Sequence, residues 1–81
     1  MNIKICLHDT LKSRVESEMK VNDGKVVLVL PPGSLVQDLL KVLNLSEDYI
    51  GLMLVNGKQV GYKKQLSNGD KIDFFSPMAG G

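Results

Sequence analysis

The chain has 81 residues, of which 43% are hydrophobic and 23% charged. That is enough for one domain with one sheet and one or two helices, but too little for a deep, roofed cleft. Ten Lys and Arg against nine Asp and Glu leave a formal net charge of +1, so bulk electrostatics predict no nucleic-acid partner, and the balance is not that of a disordered tail.

Ile3, Ile5 and Leu7 alternate with Asn2, Lys4 and Cys6, the period-two signature of a strand at the start of the chain. In the less regular stretch 9–23, Leu11, Val15 and Met19 recur every four residues and suggest a short helix after Thr10. Val21-Asn22-Asp23-Gly24 reads as a turn. The following KVVLVL, Lys25 to Leu30, is β-branched and apolar and predicts a well-buried second strand, antiparallel to the first.

Pro31-Pro32-Gly33 stops that strand. Ser34 is then a predicted helix N-cap, with Gln37 at the reciprocal capping-box position and Asp38 adding charge to the first turn. Leu35, Leu39 and Leu43, with Val36 and Leu40 beside them, give one apolar stripe on a helix over 34–43, stopped at Asn44. Leu52 to Val55 is a third strand. Asn56-Gly57 is a strong hairpin turn into a short fourth strand, Lys58 to Val60. Leu66 anchors a polar loop, Asn68-Gly69-Asp70 turns, and Lys71 to Phe75 is the last strand. The predicted order is β-β-α-β-β-β, an α+β roll with one main helix on a mixed sheet. Residues 1–76 form the domain and 77–81 a flexible tail.

Few groups are available for catalysis. His8 and Cys6 are the single His and Cys, too few for a structural zinc site or an internal disulfide. As a nucleophilic pair they lack an orienting third group nearby in sequence. Pro32-Gly33-Ser34 is not a phosphate-binding loop, and without Trp the chain is poorly supplied for base stacking. The longest apolar run, Val26 to Leu30, is far short of the ~20 residues that span a bilayer, and no signal peptide is evident. These features predict a cytoplasmic protein that is not an enzyme by itself, binds no metal or cofactor and does not engage membranes.

The end of the sequence carries the chemistry. Pro77 stiffens the exit from the last strand, Met78 and Ala79 are apolar where a solvated tail is normally polar, and Gly80-Gly81 comes last. Glycines thread a slot too narrow for any Cβ and leave the Gly81 carbonyl open to attack. A carboxylate is a poor electrophile, so it needs activation, most simply as an acyl-adenylate.

Val55-Asn56-Gly57-Lys58, the run Leu66 to Ile72 and the ending FFSPMAGG, in this order of elements, resemble the ubiquitin-like β-grasp sulfur carriers. The ending is most similar to the small subunit of molybdopterin synthase; the thiamine sulfur carriers are close relatives. The resemblance implies an E1-like partner that uses ATP to adenylate Gly81, replacement of the adenylate by sulfur to leave a thiocarboxylate, and a large synthase subunit that takes in the tail, Pro77, Met78, Ala79 and Gly80, to transfer the sulfur to a pterin precursor. It also places Met53 and Val55 inside and Leu54 outside near Phe75. If Ile72 and Phe74 are then core, alternation leaves Phe75 exposed beside the tail, and Phe75 and Leu54 form a partner-docking patch. Three other readings compete: a sulfur carrier for thiamine or another relay, a ubiquitin-like modifier joined through Gly81 to a target lysine, and an interaction domain with an idle tail.

Overall fold

The computed structural model describes residues 1–8, 10–16 and 23–77. Along the chain run β1 (Asn2–Leu7), α1 (Thr10–Glu16), β2 (Lys25–Val29), α2 (Val36–Leu43), a 3₁₀ turn (Glu47–Tyr49), β3 (Leu52–Val55), β4 (Lys58–Gln59) and β5 (Lys71–Phe75). The strands form one mixed sheet in the order β2-β1-β5-β3-β4. The first and last strands pair in parallel at its centre, Ile5 beside Ile72 and Leu7 beside Phe74, and the other ladders are antiparallel. This is the expected α+β roll with one main helix. A short α1 intervenes between β1 and β2, and β4 ends at Gln59.

One face of the sheet is core. Ile3, Ile5 and Leu7, then Met53 and Val55, then Ile72 and Phe74 are all buried, packed with Val36, Leu39, Leu40 and Leu43 of α2. Leu11 and Val15 are also buried, so α1 is amphipathic as its spacing suggests; Met19 lies outside the described residues. Every second strand residue thus faces the helix, as the period of two demands.

Two expectations need correction. β2 is not well buried: it is an edge strand in which Val26 faces the core while Val27 and Val29 are 66% and 77% exposed. A β-branched apolar run predicts two-sided burial, but only its propensity is that of an interior strand. Second, Ser34 is not the N-cap. Its hydroxyl donates to Pro31 O at 2.7 Å, and the N-cap is Leu35, whose N–H donates to the Asp38 carboxylate at 2.8 Å. Asp38, not Gln37, therefore supplies the side-chain half of a capping box. The next two N–H groups are met by backbone: Val36 N donates to Lys64 O and Gln37 N to Tyr62 O, each at 2.9 Å. Leu35, one residue before the helix, is half-buried.

The far end of α2 closes as expected. Asn44 is left-handed (φ 56), its N–H donates to Lys41 O, and Leu45 N donates to Leu40 O. With Leu40 and Leu45 both buried, this is a Schellman motif with its apolar contact. The Asn56-Gly57 turn has φ of 52 and 83, the two left-handed positions of a type I′ hairpin.

Candidate functional site

The outer face of the sheet is built from the residues that alternation leaves over. On β5 these are Lys71, Asp73 and Phe75; on β3, Leu52 and Leu54; on β1, Lys4 and Cys6. Phe75 pairs with Leu52, and Leu54 with Asp73, across the β3–β5 ladder. Phe75 and Leu54 therefore share one face, as expected, but lie on a diagonal with Leu52 directly opposite Phe75.

Phe75 is half-buried rather than fully exposed, because His8 covers it. The two rings stack with centroids 4.2 Å apart and planes 8° from parallel. The imidazole is held in place twice: His8 N donates to Phe74 O at 3.0 Å, and Nε2 lies 3.0 Å from the Asp73 carboxylate. That carboxylate is the orienting group that sequence neighbours could not supply, 65 positions away. It orients His8 toward Phe75 and not toward a thiol: among the described residues no hydrogen bond links His8 to Cys6. Nor do the described residues contain a group of three His, Cys, Asp or Glu able to hold a metal ion.

Beyond Phe75 the chain passes over Gly51. Gly51 N donates to Phe75 O at 2.8 Å. A Cβ on Gly51 would stand 2.6 Å from Pro77 Cα and 2.9 Å from Ser76 O. Any side chain there would push the backbone off its path, so Gly51 sets the direction in which Ser76 and Pro77 leave the sheet. Pro77 is exposed and ends the described segment; Met78, Ala79, Gly80 and Gly81 lie outside it.

Sequence patterns single out none of Gly51, Leu52 and Asp73, and they raise His8 only as a partner for Cys6. An isolated Gly at the start of a strand signals close backbone approach, which could have drawn attention to Gly51. For His8 the decisive fact is the parallel pairing of β1 with β5, which no local signal carries.

Elsewhere, the Lys12 ammonium, 2.8 Å away, holds the Asp23 carboxyl below its usual range by hydrogen bonding and by charge. The Tyr62 phenol is pushed up by burial, and the Glu47 and Asp48 carboxylates add to this.

Residues 15–81 match the ThiS family. The chain belongs to the ThiS family. No curated protein matches the sequence. Among solved structures the chain is similar to a Pyrococcus furiosus protein provisionally described as molybdopterin converting factor subunit 1, with 20% identity and a TM-score of 0.74 over 96% of this chain and 99% of that one. It is similar to small archaeal modifier protein SAMP1 from Haloferax volcanii, with 18% identity and a TM-score of 0.77 over the whole of both chains. A third is Urm1 from Trypanosoma brucei, with 22% identity and a TM-score of 0.71 over 99% and 95% of the two. At these identities the neighbours establish the ubiquitin-like β-grasp fold. ThiS-family membership makes this chain a ubiquitin-like protein of the sulfur-carrier kind, and such carriers work with an E1-like enzyme and a synthase subunit. No helix among the described residues is long and apolar enough to cross a membrane.

Proposed function

We propose that this ThiS-family protein is the sulfur carrier of a molybdopterin-type cofactor pathway, acting in the cytoplasm. Residues 1–76 serve as the recognition body and 77–81 as the tail. An E1-like enzyme adenylates the Gly81 carboxylate with ATP and releases pyrophosphate. A sulfide-level sulfur nucleophile attacks the acyl carbon, the bond to AMP breaks, and a thiocarboxylate is left. Met78, Ala79 and Gly80 thread the active site of a large synthase subunit while Phe75 and Leu54 dock the body beside it. The carrier itself holds no nucleotide or metal.

The observation that carries the sulfur-carrier part of this reading is the family match, which runs through the terminal Gly-Gly to residue 81. Two features support it. The FFSP segment preceding that Gly-Gly resembles the molybdopterin branch, and the strand carrying Phe75 leads directly into the tail past Gly51. Ordering four tail residues costs roughly 4–8 kcal/mol. An apolar patch of ~300 Å² returns about 7.5 kcal/mol, so a tail of this length needs the folded body as a second handle.

The similarity to a small archaeal modifier protein favours a second reading, conjugation of Gly81 to lysines. The intact mass of the protein from its own cells separates them. A carrier shows the increment of one sulfur replacing one oxygen; a modifier shows higher-mass conjugates. Deletion of Gly80 and Gly81 is expected to abolish ATP–pyrophosphate exchange with the activating enzyme at nearly unchanged stability. Exchange that survives the deletion overturns both readings. For the pathway, the thiocarboxylated protein is expected to convert the pterin precursor when mixed with the large synthase subunit; transfer only to a thiamine precursor would reassign it.

A further inference from the structure

The outer face of the sheet has a second half, two strands away from Leu54. Across β2, β1 and β5 its residues fall into rows: Val27, Lys4 and Lys71 in one, Lys25, Cys6 and Asp73 in the next. Lys4, Lys25 and Lys71 line one groove of about 380 Å³ with Cys6 and Val27. Among the described residues no carboxylate lines it. Asp73, in the neighbouring row, is turned to His8, and it is the single carboxylate among the described outer-facing strand residues. A chain of net charge +1 thus gathers three ammonium groups at one place, where among the described residues Asp23, itself bound to Lys12, adds a carboxylate only on the Lys25 side.

The adjoining strand is open. Leu7 N donates to Gly24 O, and Met1 and Leu30 exchange both backbone hydrogen bonds. In this antiparallel register residues 24, 26, 28 and 30 face β1, so the N–H and C=O groups of Lys25, Val27 and Val29 point to the outer edge. Among the described residues none pairs with them. Edge strands are normally blunted by charge or Pro, yet Val27 and Val29 are largely exposed here.

We propose that β2 and the lysine groove form a docking surface for an extended, acidic segment of a partner protein, which adds to the β2 edge and lays carboxylates toward Lys25 and Lys4, with Lys71 one strand further in adding to the positive field. Charge complementarity selects this occupant. A second copy of the chain laid on the same face would bring lysine against lysine. A nucleic acid would find three cations but no aromatic platform, and the two exposed valines match an aliphatic side chain, not a phosphate. Alternate residues of an added strand face the same side, so the matching pattern alternates acidic and aliphatic residues at every second position. The five residues of β2 span about 17 Å. The surface is separate from the Phe75 patch and does not rest on the sulfur-carrier reading.

The test is an amide-shift titration with a capped synthetic peptide, Glu-Thr-Val-Thr-Glu-Thr-Val-Thr. Saturable shifts are expected at Lys4 and Lys25 to Val29, weakening with added salt as exposed charges are screened. Cys6, half-buried in the groove, is expected to react more slowly with iodoacetamide when the peptide is bound. The double substitution Lys4→Glu with Lys25→Glu is expected to weaken binding about tenfold, the scale of two exposed ion pairs lost together. Val27→Thr with Val29→Thr, which keeps all charges and β propensity, is expected to weaken it by a smaller factor. The proposal is overturned if the peptide produces no saturable shifts, if its lysine-for-glutamate version binds as well, if an eight-nucleotide oligothymidylate binds more tightly at the same residues, or if sedimentation shows the free protein dimerising through β2.

Discussion

The imidazole of His8 lies flat on the ring of Phe75, the centroids 4.2 Å apart, and joins the end of the first strand to the end of the last. Half-covered in this way, Phe75 is presented in one orientation. Phe75→Ala is therefore expected to cost about 1 kcal/mol of stability, the scale of one stacked aromatic pair. It is expected to weaken association with the synthase subunit by at least ~30-fold, as for a buried aromatic anchor. Phe74→Ala, one residue earlier and fully buried, should instead destabilise by about 3–5 kcal/mol. Melting and a binding titration on both variants check the division; equal effects of the two on stability would contradict it.

Gly51→Ala probes the exit of the tail. The new methyl would meet Pro77 and Ser76 backbone atoms closer than 3 Å, and neither can yield without moving the chain. Overpacking of this kind costs ~1–3 kcal/mol. Because the displaced segment leads to Gly81, sulfur transfer is expected to fall further than stability alone explains. An activity measured well below the melting transition separates the two effects; unchanged transfer would show that the path past Gly51 is irrelevant to it.

The start of α2 offers a contrast between neighbours. Asp38→Ala removes the carboxylate that accepts from Leu35 N and is expected to cost ~1 kcal/mol. Ser34→Ala removes only the hydroxyl bond to Pro31 O, with an expected cost within ~0.5 kcal/mol. Denaturant midpoints of the two variants give the comparison directly.

Tyr62 links stability to alkaline pH. Burial and the carboxylates of Glu47 and Asp48 raise its folded pKa above that of the unfolded chain, about 10. In the window between them the folded state holds the proton that the unfolded state has lost. The contribution is complete below pH ~10 and disappears as pH climbs through the folded pKa. Tyr62→Phe is expected to flatten the loss of stability above pH ~10, measured by urea unfolding at stepped pH; an unchanged slope would place its cause elsewhere.

Local patterns made most of the fold legible. Alternation sorts Ile72 with Phe74 and Asp73 with Phe75 onto opposite faces of β5, Asn56-Gly57 marks the β3–β4 hairpin, and Asn44 marks the end of α2. Local patterns failed where the outcome depends on a distant partner. Val27 and Val29 have interior composition, but nothing lies beyond β2 among the described strands. Ser34 has the chemistry of a cap, but the 62–64 loop receives the first helical N–H groups and moves the helix start to Val36. The same holds at the candidate site: parity separates Phe75 from Phe74 and Leu54 from Met53 and Val55, the family resemblance chooses the outer face, and His8 joins them only through the pairing of β1 with β5.

That pairing has a mechanical consequence. β5 lies between β1, parallel to it, and β3, antiparallel to it. A pull on the segment beyond Pro77 acts along the strand axis and loads both ladders in shear, so their hydrogen bonds resist together. Had the segment emerged from an edge such as β4, the same pull could have peeled a two-residue ladder one bond at a time. A partner that draws the tail into a narrow channel can apply tension to this fold without unravelling it.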